Sequence, residues 1–411
     1  MLQPYSTEDD YYNFADTLVH ELSHHWFGNF VTMDWWDDLW LNESFADFIA
    51  QFVLGKINDS LERPLQPSGM YFRDRKAWGY DEDERDSGTH PIRAVVKDTD
   101  VAANNFDGIT YAKGAALIKQ LVSLVGEDGF SNGLKSYFNR FRWSNATIFD
   151  FLEDMAPYFP SNIDLNQWRS GWLESASVNM FESIWNPDDL SSTATLRLVQ
   201  TPFSQKFPTL RWHKLQIAFF NANASVVFAQ TVFVSPDSAE TVVTYDGSYK
   251  VRAILVNYND NTFCENYLDT QSLQFFMGNV DKITDTYTRA QVWYNIAQMN
   301  KLAYLKLEDY ISFLESKLLD EPVEFIVNQL LTELHGLMSH YITGEEMDDQ
   351  SNILFDALYR ELQDMGITDY DRVTILQKFY IKYAITDAHK LQLKKWLMKE
   401  DPTIAARDIL D

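Results

Sequence analysis

The sequence predicts a multidomain, mainly α-helical chain with a small antiparallel β-sandwich set between two helical regions. Three observations carry this reading. The 411 residues are too many for one ordinary domain. Apolar residues recur at helical intervals toward both ends of the chain, while over about residues 191–262 short β-branched and aromatic runs alternate with turn residues. Hydrophobic residues make up 45% of the chain, enough for a substantial core in each part.

The first region, residues 1–185, holds nine of the 12 tryptophans. In "YYNFADTLVHELSHHWF" the residues Phe14, Leu18, Leu22 and Trp26 fall four apart, which predicts a helix. "TYAKGAALIKQLVSLV" predicts a second helix, ended by Gly126, and "NATIFDFLEDMAPYF" a third, capped at Asn145 or Thr147 and stopped near Pro160. Tyr71–His90 is charged and glycine-punctuated and reads as loop. In the second region "TATLRLVQ", "HKLQIAFF", "ASVVFAQTVFVS", "ETVVTY" and "YKVRAILVNY" read as strands of the sandwich, residues 191–262. The third region, 268–411, returns to amphipathic helices in "TRAQVWYNIAQMNKLAYL", "YISFLESKL", "VEFIVNQLLTELHGLM", "NILFDALYRELQDMG" and "VTILQKFYIKYA". Their succession suits a HEAT-like helical array without a strict repeat, and "DPTIAARDILD" reads as one more helix-pair junction, with truncation of a larger array left open.

The net charge of −26 argues against a nucleic-acid partner, because phosphates require a basic surface. Cys264 is the only cysteine, so no intrachain disulfide forms. No apolar run is long enough for a transmembrane helix, and Met1–Asp10 lacks the features of a signal peptide. The expected location is cytoplasmic, with a membrane-anchored ectoenzyme as the alternative. Sequons occur at Asn42, Asn58, Asn145 and Asn223, the first inside the motif described next.

The sharpest chemical signal is His20-Glu21-Leu22-Ser23-His24. On a helix, residues i and i+4 share a face, so both imidazoles can reach one Zn2+, with Glu21 beside them to address a water. A catalytic zinc needs a third protein ligand and one open position. Glu43 lies in a second helical pattern, "WWDDLWLNESFADFIAQF", nineteen residues beyond His24, which allows a loop and an antiparallel return. Asp47, one turn after Glu43, can accept the second ring proton of His20 or His24. His25 points about 100° away round the helix and is read as a packing or pocket-wall residue.

Residues His20–Phe48, "HELSHHWFGNFVTMDWWDDLWLNESFADF", resemble the signature of the M1 zinc aminopeptidases, the aminopeptidase N-like gluzincins. His25 stands where that family commonly has glutamine and Ser44 where it commonly has glycine. The family's catalytic tyrosine motif is similar to "FDGITYAKGA", which places that role on Tyr111, and "THPI", Thr89–Ile92, resembles another family block near the substrate cleft. His90 in that block is read as structural rather than as a ligand. The resemblance implies three parts: a partial thermolysin-like zinc metallopeptidase domain over 1–185, the sandwich over 191–262, and the helical array over 268–411. It implies one zinc per chain, peptide substrates, and hydrolysis of the N-terminal peptide bond. The family's glycine/alanine-rich exopeptidase block and N-terminal saddle have no counterpart in the nineteen residues before His20. The expectation is therefore a complete metal set with an incomplete grip on the substrate amine. The alternatives are a zinc-binding fragment or peptide-binding scaffold with weak or no activity, and a thermolysin-like endopeptidase.

Overall fold

A computed structural model describes residues 6–60, 68–342, 344–364 and 370–398. The chain forms two compact units, one of residues 12–299 and one of residues 300–411 with 1–11. The architecture is mixed α/β and multidomain, with a small β-sheet region and C-terminal helices. Among the described residues no helix is long and apolar enough to cross a membrane.

Helix α1 (Glu8–Ser23) starts at a capping box in which Thr7 and Asp10 each accept the other's backbone N–H. Its period is the helical one read from the sequence, but the apolar stripe is not the buried face. Phe14, Leu18, Leu22 and Trp26 are each 48–55% exposed, while Tyr12 and Ser23 are buried and Asp16, Val19, His20 and His24 are partly buried. The chain then reverses through Gly28 into β1 (Val31–Met33) and a short 3-10 turn, Trp36–Asp38. Helix α2 (Leu39–Ile57) follows and is deeply set, with eleven buried residues that include Glu43 and Asp47. Phe45 of α2 stacks on Phe27 with ring centroids 3.5 Å apart, at the centre of a core shared with Tyr137 and Phe151.

The segment read as loop over 71–90 is corrected here, because Ser68–Asp83 forms helix α3. Gly79, which looked like a breaker, is a contact point. A Cβ there would lie 3.1 Å from Lys113 N and 3.2 Å from Gly108 O, and one on Gly108 would lie 2.5 Å from Trp78 O. Helix α3 thus meets the Tyr111 segment backbone to backbone, which only glycine allows. Its charges are also used inside the protein. Lys76 is buried, with Nζ 2.6 Å from Asp260 Oδ1 and 2.9 Å from Thr262 O.

Helix α4 (Thr99–Asn104) leads to a π turn, Ile109–Lys113, which runs into α5 (Gly114–Phe141). Helix α5 is interrupted where the sequence placed its end, at Gly126 with φ +76°. Strand β2 (Ser144–Ala146) pairs in parallel with β1, and α6 (Ile148–Met155) is capped by Thr147 in a box with Asp150. Helix α7 (Leu165–Leu173) completes the helical part.

The β region has nine-residue and shorter strands: β3 (Asn179–Trp185), β4 (Ala194–Pro202), β5 (His213–Phe220), β6 (Val226–Val234), β7 (Glu240–Tyr245), β8 (Ala253–Val256) and β9 (Glu265–Tyr267). They form two sheets, ordered β7-β4-β3-β9 and β6-β5-β8, over one core that includes Phe181, Leu196, Leu198, Leu215, Ile217 and Phe219. Within 191–262 every pairing is antiparallel, while β3, which lies before that span, pairs antiparallel with β4 and parallel with β9. Helices α8 (Thr270–Asn279) and α9 (Thr286–Lys301) follow.

In the other unit α10 (Leu307–Lys317) packs on α11 (Glu324–Tyr341). Helix α13 (Tyr370–Lys382) packs on both α11 and α12 (Glu345–Asp364), and α14 (Asp387–Leu397) closes the series. Leu314, Val327, Leu331, Leu358, Leu376 and Phe379 are among its buried residues. The "DPTIAARDILD" segment lies outside the described residues.

Candidate metal centre

His20 stands in the last turn of α1, and His24 closes that turn by donating its N–H to His20 O at 3.3 Å. Gly28 then turns the chain at φ +117°. A Cβ there would lie 2.8 Å from Asn42 Oδ1, and that oxygen is 3.2 Å from His24 Nδ1, so the glycine also makes room for a side chain that orients the ring. Phe27 O lies 3.1 Å from the same nitrogen. Both neighbours are acceptors, so Nδ1 of His24 carries a proton and Nε2 is the atom turned toward the cluster. His20 is fixed in the same way: its Nδ1 lies 3.0 Å from Asp47 Oδ1. Asp47 is in turn held by Arg75 of α3, whose Nε donates to Oδ2 at 2.9 Å.

The two Nε2 atoms face each other at 3.1 Å, and each lies 3.5 Å from Glu43 Oε2. These three residues are the metal-type cluster found among the described residues. A tetrahedral zinc with ligands at roughly 2.0–2.1 Å sets its ligand atoms about 3.4 Å apart, so the spacing fits that ion. Asn42 Nδ2 donates to the other oxygen of Glu43 at 3.1 Å.

The electrostatics say the same. Burial works to raise the Glu43 carboxyl, but hydrogen bonds from His20 and His24, the His24 charge and a bond from Tyr111 bring it down to about 2. Burial opposes charge on His20, yet Asp47 and Glu43 raise it to about 9. His24 is raised as well, chiefly by its hydrogen bond to Glu43 and against the cost of burial. The pocket is built to hold positive charge, and a metal must displace the ring protons to enter.

Tyr111 lies on the π turn. Its ring is nearly parallel to that of His20, 6.3 Å away, and its hydroxyl bonds Glu43. Burial first, then the Glu43 carboxylate, raises the phenol and keeps it protonated as a donor. Trp78 stacks on Tyr111 at 5.8 Å, and the Arg75 guanidinium sits 5.7 Å from its ring centre. Ser44, next to Glu43, donates to Thr110 O at 2.5 Å and so ties α2 to the residue before Tyr111. Glu21 and His25 are exposed and lie outside the cluster.

Sequence reasoning missed Arg75, Asn42, Asp16 and the contact made by Ser44. Asn42 and Ser44 flank Glu43, so their position was a usable signal, whereas Arg75 lay in the segment read as loop.

Residues 1–172 match the peptidase family M1 domain, and residues 253–406 match the ERAP1-like C-terminal domain. The chain is a homologue of the M1 zinc aminopeptidases. An aminopeptidase N of Streptomyces lividans is 33% identical over 335 residues, covering 80% of this chain and 38% of that protein. A tricorn protease-interacting factor F2 of Thermoplasma volcanium is 24% identical over 403 residues, covering 96% of this chain and 47% of that protein. A probable aminopeptidase 1 of Saccharolobus solfataricus is 44% identical over 132 residues, 32% of this chain and 16% of that protein. The chain thus spans less than half the length of each of these relatives.

Proposed function

We propose that the chain is the metal-bearing part of a zinc-dependent aminopeptidase that hydrolyses the N-terminal bond of peptides. The observation that carries this reading is the convergence of His20 Nε2, His24 Nε2 and Glu43 Oε2 at 3.1–3.5 Å, each ring held by a separate acceptor. A zinc ion bound there supplies Lewis acidity toward the scissile carbonyl and acidifies a water. Glu21, the residue after His20 on α1, takes the proton of the attacking water and delivers it to the leaving nitrogen. The Tyr111 phenol donates to the oxygen on which negative charge develops. In this reading 1–185 is a partial thermolysin-like domain, 191–262 a β-sandwich and 268–411 a HEAT-like array.

The test is hydrolysis of an aminoacyl-arylamide by the purified chain loaded with one equivalent of zinc. Glu21→Gln should retain the metal and lose activity by a factor of roughly 10² or more. Full activity in that variant removes the base assignment. Cleavage of internal bonds with no preference for a free N-terminus turns the reading to an endopeptidase, and a zinc-loaded chain that cleaves neither substrate removes the proposal.

A further inference from the structure

The "THPI" block takes no part in the metal cluster, yet it reaches both ends of the turn that carries Tyr111. His90 Nε2 lies 2.7 Å from Asp107 Oδ2, and its Nδ1 lies 2.8 Å from Pro91 O. Both neighbours are acceptors, so both ring nitrogens donate and the ring is an imidazolium. Burial opposes that charge, as does Lys113, but the hydrogen bond and charge of Asp107 and the Pro91 carbonyl outweigh them, and the ring is raised above the usual histidine range.

The other oxygen of Asp107 accepts from the backbone N–H of Ile109 at 3.0 Å and of Thr110 at 2.9 Å, while the Asp107 carbonyl accepts from Tyr111 N–H at 3.0 Å. Asp107 therefore satisfies the first donors of the π turn, a rare helical form found mostly as single turns. The far end is tied as well. Lys113 Nζ lies 2.8 Å from Asp83 Oδ2, with both side chains fully buried, and Asp83 Oδ1 receives the Thr89 hydroxyl at 2.8 Å. Two adjacent residues, Thr89 and His90, thus each reach one end of the five-residue turn through one carboxylate.

We propose that His90 is a positioning residue for Tyr111: by holding Asp107 against the start of the π turn, it fixes where the phenol points relative to Glu43. The catalytic consequence rests on the aminopeptidase reading, whereas the geometric one does not, and the test separates them. Full-length protein is labelled with 3-fluorotyrosine, and the 19F resonance of residue 111 is assigned by its loss in Tyr111→Phe. His90→Ala shifts or broadens that resonance, and His90→Gln, whose amide can still donate to Asp107, returns it toward its original position. In the parent protein the resonance moves as rising pH removes the second ring proton, and this transition is absent from His90→Gln. In zinc-loaded protein His90→Ala lowers kcat roughly 10- to 100-fold with zinc content unchanged, and KM stays within about twofold because the phenol acts on the transition state. A resonance that stays put in His90→Ala overturns the proposal, and so does a parent resonance that never moves with pH. Equal damage by Ala and Gln, with zinc loss and melting together, also overturns it by assigning His90 to the fold alone. A parent chain without hydrolytic activity defeats the aminopeptidase reading, and the 19F result still decides the placement of Tyr111.

Discussion

Removing Asp47 tests how much of the metal affinity comes from behind the ligands. Asp47 accepts from His20 Nδ1 at 3.0 Å, its side chain is only 7% exposed, and Arg75 keeps it in place from the far side. A charge-assisted hydrogen bond of this kind is worth roughly 1.5–3 kcal/mol, and loss of such a partner typically weakens metal binding about 10- to 100-fold, or about 1.4–2.7 kcal/mol. The two ranges overlap, so Asp47→Ala should bind zinc roughly 10- to 100-fold more weakly. Asp47→Asn keeps an acceptor oxygen without the charge and should fall between Ala and the parent. Arg75 is partly exposed and is rehydrated when its carboxylate is removed, which adds little cost of its own. The measurement is zinc competition against a chromophoric chelator at fixed pH, with circular dichroism to confirm folding. Glu127→Gln, at an exposed ion pair with Lys56, serves as the control. If folded Asp47→Ala holds zinc as tightly as the parent, the carboxylate contributes nothing to His20 as a ligand and the reasoning fails.

Two further outcomes concern stability. Gly114→Ala would place a Cβ 1.9 Å from Ser44 Oγ and 3.2 Å from Trp40 Cε3, and should destabilise the fold by roughly 1–3 kcal/mol in denaturant titration. Adding Ser44→Gly should recover part of that loss, and a double variant no better than the single one would show that the clash lies elsewhere. Asp16 is raised from its usual 3.8 to about 6, first by burial and then by Asp47. The folded metal-free protein therefore holds this proton more tightly than the unfolded chain does. Its contribution is fully present below about pH 4 and is lost as the pH rises through about 6. Asp16→Asn should raise the melting temperature of metal-free protein at neutral pH and flatten its pH dependence between about 4 and 6. An unchanged profile would remove Asp16 from the account.

The metal set was legible because helix geometry converts i and i+4 into one face, and His20 and His24 need little beyond that to meet. Glu43 depended on a chain reversal that sequence could only allow, and Gly28 with its positive φ is what delivers it. Strands β4 to β8 were readable from alternation and turn residues. Strand β3 was not, because it follows a helical region directly, and β9 is only three residues long. Helix α3 was hidden because its glycine and charges look like loop composition in one dimension. Only the neighbouring backbone of Gly108 and Lys113, and the buried partners of Lys76 and Asp83, give them a purpose. Burial of α1 was equally illegible, since periodicity reports a helix and not which side of it meets the core.

The outward stripe of α1 has a consequence for how the centre holds together. Between Tyr12 and Phe27 this helix is joined to its neighbours largely through polar groups: Tyr12 and Asp16 bond Gln51, His20 bonds Asp47, and His24 bonds Asn42. His20 rides on it and His24 directly follows its last residue, and the third ligand belongs to the deeply set α2. A bound cation would therefore act as a rivet between a loosely fastened plank and a fixed beam, so the ion's chemistry and the helix's anchorage are a single equilibrium.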